Sequence, residues 1–157
     1  MNFANWNEIE KGFFAIENKK HVKDTQALTN DAFSEKWTVY SEEEIAEQEK
    51  FFELQRKWFL ELYGFQDEKN LAEHLQSCDY ILDAGCGLGY KSAWFASLAP
   101  NSKVIGIDFS SASYRAYQRY KDEFLNLIFA QGDIANTLLP SGFIGFTVCD
   151  QVIMHTD

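Results

Sequence analysis

Hydrophobic positions follow two rhythms, and the change falls near residue 78. Upstream, Ile45, Phe51, Phe52, Leu54, Trp58, Phe59 and Leu62 recur close to helical spacing. They predict a long helix from about Glu42 to Tyr63, its apolar stripe reading as core more readily than as a ligand-binding face. Ser41 and Glu44 have the S-x-x-E form of a capping box, and Gly64 is placed to end the helix. Leu71 and Leu75, four apart, predict a shorter helix over 67–76, and Ala32–Trp37 reads as another. Gly12–Ile16 has strand character, with a turn at Asn18–His21.

Downstream, short apolar runs alternate with helical patterns. Strands are predicted at Tyr80–Asp83, Val104–Asp108, Leu125–Ala130 and Phe143–Cys149. Helices fall between them, at about Tyr90–Leu98 and from Ser110 to about Glu123. Strands that alternate with helices indicate βαβ units, hence an α/β fold with a parallel sheet and right-handed crossovers. The chain reads as one structural domain with a helical lead-in over 1–77 and a sheet-forming half over 78–157.

Composition narrows the partners. The 157 residues suit a single domain, and 46% apolar residues predict a packed core. No apolar run approaches a membrane span, and the first residues lack the basic-then-apolar pattern of a signal peptide. A soluble, cytoplasmic protein without a membrane partner is expected. A net charge of −10 and no Lys/Arg cluster disfavour nucleic acid. Cys78, Cys86 and Cys149 stand singly, so neither a metal site nor a disulfide framework is expected.

The chemistry concentrates at strand ends. Asp83-Ala84-Gly85-Cys86-Gly87-Leu88-Gly89 follows the first of the four downstream strands and leads into a helix. Ligands of open parallel sheets bind beyond the carboxyl ends of the strands, where glycines let the backbone turn and approach closely. Asp108 ends the next strand, nineteen residues beyond Gly89, and Asp133 follows the third. A carboxylate at that spacing suits the two hydroxyls of a ribose. Each acid taken singly also fits a solvated loop; three at successive strand ends point to a nucleotide-type cofactor. A dinucleotide fingerprint needs a third glycine where Tyr90 stands, which disfavours a nicotinamide-dependent dehydrogenase.

The D-x-G-x-G-x-G loop resembles the first motif of the class I S-adenosylmethionine-dependent methyltransferases. Val104–Ser110, Ala130–Ile134 and Phe146–Thr156 resemble three further motifs of that family, in order and at normal spacing. The resemblance implies S-adenosyl-L-methionine as cofactor and methyl transfer to a small-molecule acceptor. It implies that Gly85, Cys86, Gly87 and Gly89 lie against the methionine half, with Asp83 reaching its amino group directly or through water. Asp108 would hold the ribose hydroxyls, Phe109 would lie beside the adenine, and Asp133 and the Ile134 N–H would read the adenine edge. Cys149, Asp150 and Gln151 would face the methionine end. Trp37 and Tyr40 fall in a segment similar to the family's helical lead-in, as lid or core residues.

The chain departs from the family in two places. Met154 replaces the first of a usual histidine pair, leaving His155 as a candidate general base or a structural histidine. The family's Rossmann-like sheet has strand order 3-2-1-4-5-7-6, whereas this sequence accounts for 3-2-1-4, an incomplete sheet. Two expectations follow: a homodimer formed through the exposed fourth strand over Phe143–Ile153, or a fragment of a longer protein. The alternative to a methyltransferase is a module that binds the cofactor without turnover.

Overall fold

The computed structural model describes residues 3, 5–17, 42–150 and 152. Among the described residues, six strands form one sheet: β1 (Trp6–Glu10), β2 (Phe13–Ile16), β3 (Tyr80–Ala84), β4 (Lys103–Asp108), β5 (Leu127–Gln131) and β6 (Phe146–Val148). Their order is β1-β2-β5-β4-β3-β6. Only the β1–β2 pair is antiparallel; every other pairing is parallel. The order 3-2-1-4 expected of the downstream strands is therefore present as β5-β4-β3-β6.

The strand expected at Gly12–Ile16 is present as β2, and β1 pairs with it to form a hairpin ahead of the helices. The segment 6–16 belongs to the sheet, and Phe13 of β2 lies in register with Phe129 of β5. Two of the other strands start later than expected. Leu125 is 91% exposed, and β5 begins two residues later. Phe143 leaves the strand path to pack its ring 4.0 Å from Tyr80, so β6 is only three residues long.

Among the described residues, four helices accompany the sheet: α1 (Glu42–Leu62), α2 (Glu68–Gln76), α3 (Tyr90–Leu98) and α4 (Ala112–Tyr120). The last ends earlier than its apolar pattern suggested. Asp67 caps α2, its carboxylate accepting from the Asn70 N–H at 2.8 Å. Alternate residues of the central strands enter opposite cores. Ile81, Val104 and Phe129 pack with Leu71, Leu75 and Phe95 from the helices. Leu82, Ile105 and Ala130 pack with Trp6, Phe14 and Ile16 from the hairpin. Strands buried on both faces read as continuous apolar runs, which is why β3 and β4 stand out in the sequence.

The long α1 uses only part of its apolar arc. Phe52 and Phe59 are buried, whereas Phe51, Leu54, Trp58 and Leu62 are 52–65% exposed. The expectation of one core-facing stripe is corrected accordingly. The side chain of Ile45, the capping-box residue Ser41, the 18–21 turn, the Ala32–Trp37 helix, Trp37 and Tyr40 lie outside the described residues.

Candidate active site

The D-x-G-x-G-x-G segment connects the end of β3 to the start of α3. Gly85, Gly87 and Gly89 have φ of 82°, 52° and 76°. Side chains other than glycine are strained in that left-handed region. The Gly85 and Cys86 N–H groups both donate to the Ile107 carbonyl, at 2.7 and 3.0 Å, and the Gly89 N–H returns to the Cys86 carbonyl at 2.9 Å. These bonds hold the loop against the end of β4. A Cβ on Gly85 would overlap the Val152 side chain, so the chain beyond β6 passes directly over the loop. A Cβ on Gly89 would lie 2.8 Å from Ala116 and from the Phe129 ring, so this glycine also lets α3 approach α4 and β5.

Asp108 makes the central connection. One carboxylate oxygen accepts from the Gly87 N–H at 2.8 Å. The other accepts from the Ser110 N–H and hydroxyl, at 2.9 and 2.6 Å. The ends of β3 and β4 are thus joined through one side chain. Asp83 lies deeper. It is 2% exposed and accepts from the Ser92 hydroxyl at 2.6 Å. Burial raises its pKa above the ordinary carboxylate value, Lys91 and the Ser92 hydrogen bond oppose the shift, and Asp108 and Asp150 add to it. The Cys86 thiol is buried and pushed well up, first by desolvation and then by the charges of Asp108 and Asp83.

At the other end of the site, Asp133 caps a 3₁₀ turn over Ile134–Asn136, accepting from the Ala135 N–H at 2.8 Å. The Phe109 carbonyl accepts from the Gln131 amide at 3.2 Å. Ile134 and Cys149 are half-buried against the hairpin-side core. Asp83, Cys86, Asp108, Phe109, Asp133, Ile134 and Cys149 all follow or end strands of the parallel sheet on its carboxyl side. Gln151, Met154 and the candidate base His155 lie outside the described residues.

Sequence reading missed the ion pair that crosses this edge. Lys91 in the first turn of α3 donates to Asp150 beyond β6 at 2.7 Å, with the two side chains only 18% and 20% exposed. Tyr63 reaches the same carboxylate at 3.5 Å, and the Lys91 ammonium lies 5.5 Å from the centre of the Phe59 ring. One signal was available: a lysine in the first turn of a helix opposes the helix dipole and needs a compensating anion. Among the described residues, no group of three His, Cys, Asp or Glu is arranged to hold a metal ion, and no helix is long and apolar enough to cross a membrane.

A family model described as a methyltransferase domain matches residues 81–157. The match spans the stretch that holds the glycine loop and the strand-end acids, just under half of the chain, and indicates S-adenosyl-L-methionine as the cofactor. No curated protein matches the chain. Among solved structures it is similar to StiE O-MT, at 23% identity over 64% of this chain and 35% of that one, with a TM-score of 0.44. It is similar to the plantazolicin methyltransferase BpumL in complex with SAH, at 20% identity over 76% and 45% of the two chains, with a TM-score of 0.37. A dimethyladenosine transferase from Plasmodium falciparum matches at 31% identity over 49% and 28%, with a TM-score of 0.37. The chain spans less than half the length of each of these solved chains.

Proposed function

We propose that this chain uses S-adenosylmethionine to methylate a small-molecule acceptor. The observation that carries the reading is the Asp108 carboxylate, held 2.8 Å from the Gly87 N–H at the carboxyl edge of the sheet. It brings the second strand-end acid onto the glycine loop, so that one edge would hold both the ribose and the methionine arm. The residues fit this cofactor. Three left-handed glycines bring no side chain to the loop and Cys86 and Leu88 between them are buried, while Asp108 and Asp133 offer carboxylate oxygens to the ribose hydroxyls and the adenine amino group.

Bound there, the cofactor supplies a methyl group on a sulfonium, which leaves as a neutral thioether. The chain's task is then chiefly to hold and align, with proton removal needed only when the acceptor carries a proton that must leave. His155 is the proposed base for that case. A net charge of −10 supports a small acceptor over a polyanion.

The second reading is cofactor binding without turnover. Calorimetry on the whole chain tests the shared premise. S-adenosylmethionine should bind more tightly than NAD. Asp108→Ala should weaken cofactor binding by about 1–3 kcal/mol through lost charge-assisted hydrogen bonds. Unchanged affinity in a folded variant would remove the ribose assignment. Release of demethylated product across an acceptor panel then separates enzyme from binder.

A further inference from the structure

We propose that Lys91 is the cofactor's carboxylate-binding residue, reaching the methionine α-carboxylate while it stays paired with Asp150. The inference rests on the cofactor assignment and goes beyond it, because neither the glycine loop nor the strand-end acids provide a cation. The methionine arm carries both an ammonium and a carboxylate. The acids that end β3 and β4, together with Asp150 beyond β6, supply three anions for the positive groups. Lys91 is the cation that faces Asp83 within this cluster, together with the carboxylates of Asp108 and Asp150. An anionic group entering among three carboxylates without a counter-charge would be repelled at short range.

The position and valence of Lys91 suit the task. It lies two residues beyond Gly89, so the glycine loop and the ammonium move as one unit. Asp150 accepts one hydrogen bond from it at 2.7 Å. An ammonium has three donors, leaving two for a second carboxylate. The side chain is fixed before any ligand arrives, by Asp150 on one side and the face of Phe59 on the other. Such preorganisation reduces the ordering cost of binding. Of the neighbouring cations, Arg56 lies over Phe52 and Trp94 with its Nη1 3.8 Å from Glu68, whereas Arg115 has a buried Nη1 without a hydrogen-bond partner and is the rival that the test includes.

The test compares S-adenosylmethionine with its decarboxylated analogue by calorimetry on the whole chain, so it needs no turnover. The unsubstituted chain should prefer the carboxylated cofactor. Lys91→Met should lose about tenfold in affinity for S-adenosylmethionine, while binding of the decarboxylated analogue is nearly unchanged. Lys91→Arg should restore most of the preference, and Arg115→Met should leave it intact. Equal losses for both ligands in Lys91→Met, or a preference that survives in it and disappears in Arg115→Met, would overturn the assignment. Where Lys91→Met does not fold, the Arg115→Met and Lys91→Arg measurements still decide: loss of the preference in Arg115→Met, or its absence in folded Lys91→Arg, rejects Lys91. Failure of the unsubstituted chain to bind either ligand would instead reject the cofactor reading itself, and is distinguishable because it appears without any substitution.

Discussion

At the scale of single residues, the site is held by positions whose alternatives are costly for identifiable reasons. Gly89 combines a φ of 76° with contacts of 2.8 Å from a would-be Cβ to Ala116 and Phe129. Gly64 has the same φ with nothing within 4 Å. The pair separates backbone strain from overpacking. Gly64→Ala should cost about 1–2 kcal/mol and Gly89→Ala about 2–4 kcal/mol, read from urea melts. Equal costs would mean that the packing around Gly89 gives way freely. Asp83 makes a different prediction. Its folded-state pKa lies above the ordinary 3.8, mainly through burial, so the folded chain retains a proton that the unfolded chain releases. From this group, stability is flat below about 3.8, falls as pH rises towards the folded-state value, and stays reduced above it. Asp83→Asn keeps an oxygen for the Ser92 hydroxyl and removes the charge. It should raise stability at neutral pH and remove that part of the slope, measured by denaturant unfolding across the acid range. A variant less stable at neutral pH, with the slope unchanged, would show that Asp83 is held chiefly as an anion by Lys91.

At the scale of elements, α1 shows how far periodicity carries. Its helical spacing was legible, as were the glycine that ends it and the strands β3 and β4, because local sequence specifies them. Which third of a wide apolar arc would be buried was not legible. That depends on where Trp94, Phe95 and Tyr90 of α3 stand when the two helices meet, with Phe59 and Trp94 ring centroids 5.6 Å apart. Phe59→Ala should therefore cost about 3–5 kcal/mol, whereas Leu54→Gln on the exposed stripe should stay within about 0.5 kcal/mol. Thermal or urea melts decide, and comparable costs would mean that the exposed stripe is covered in solution. The candidate site divides in the same way. The glycine loop and the acids at positions 83, 108 and 133 lie in local motifs and could be read. The Lys91–Asp150 pair joins residues 59 positions apart, and β2 meets β5 across more than a hundred, so neither left a local trace beyond a lysine in an unfavourable helical turn.

At the scale of the whole molecule, the two sheet edges are unequal, and this bears on assembly. Among the described residues, β1 and β6 are the outermost strands. The β1 edge carries Glu8 and Glu10, with a register shift between them, two features that discourage pairing with another chain. The β6 edge has neither. Phe146, Thr147 and Val148 pair with β3 on one side, carry no charge, and include an exposed threonine. We propose that a second copy pairs along β6, giving the homodimer through the fourth strand that the sequence suggested. Light scattering across micromolar concentrations should then show a mass that rises from monomer to dimer. Thr147→Lys puts a charge on that edge without touching the core, and should shift the equilibrium towards monomer with little change in melting temperature. A monomeric mass at every concentration would reject the pairing. A dimer indifferent to Thr147→Lys would move it to another surface, such as the exposed Phe51, Leu54, Trp58 and Leu62 stripe of α1. The two surfaces make opposite demands on the site. Pairing on β6 would brace the strand that leads into Asp150, and so would couple assembly to the Lys91 ion pair. Pairing on α1 would leave that strand unbraced. The concentration dependence of cofactor affinity therefore discriminates between them: tighter binding as dimer forms is expected for the β6 arrangement and not for the other.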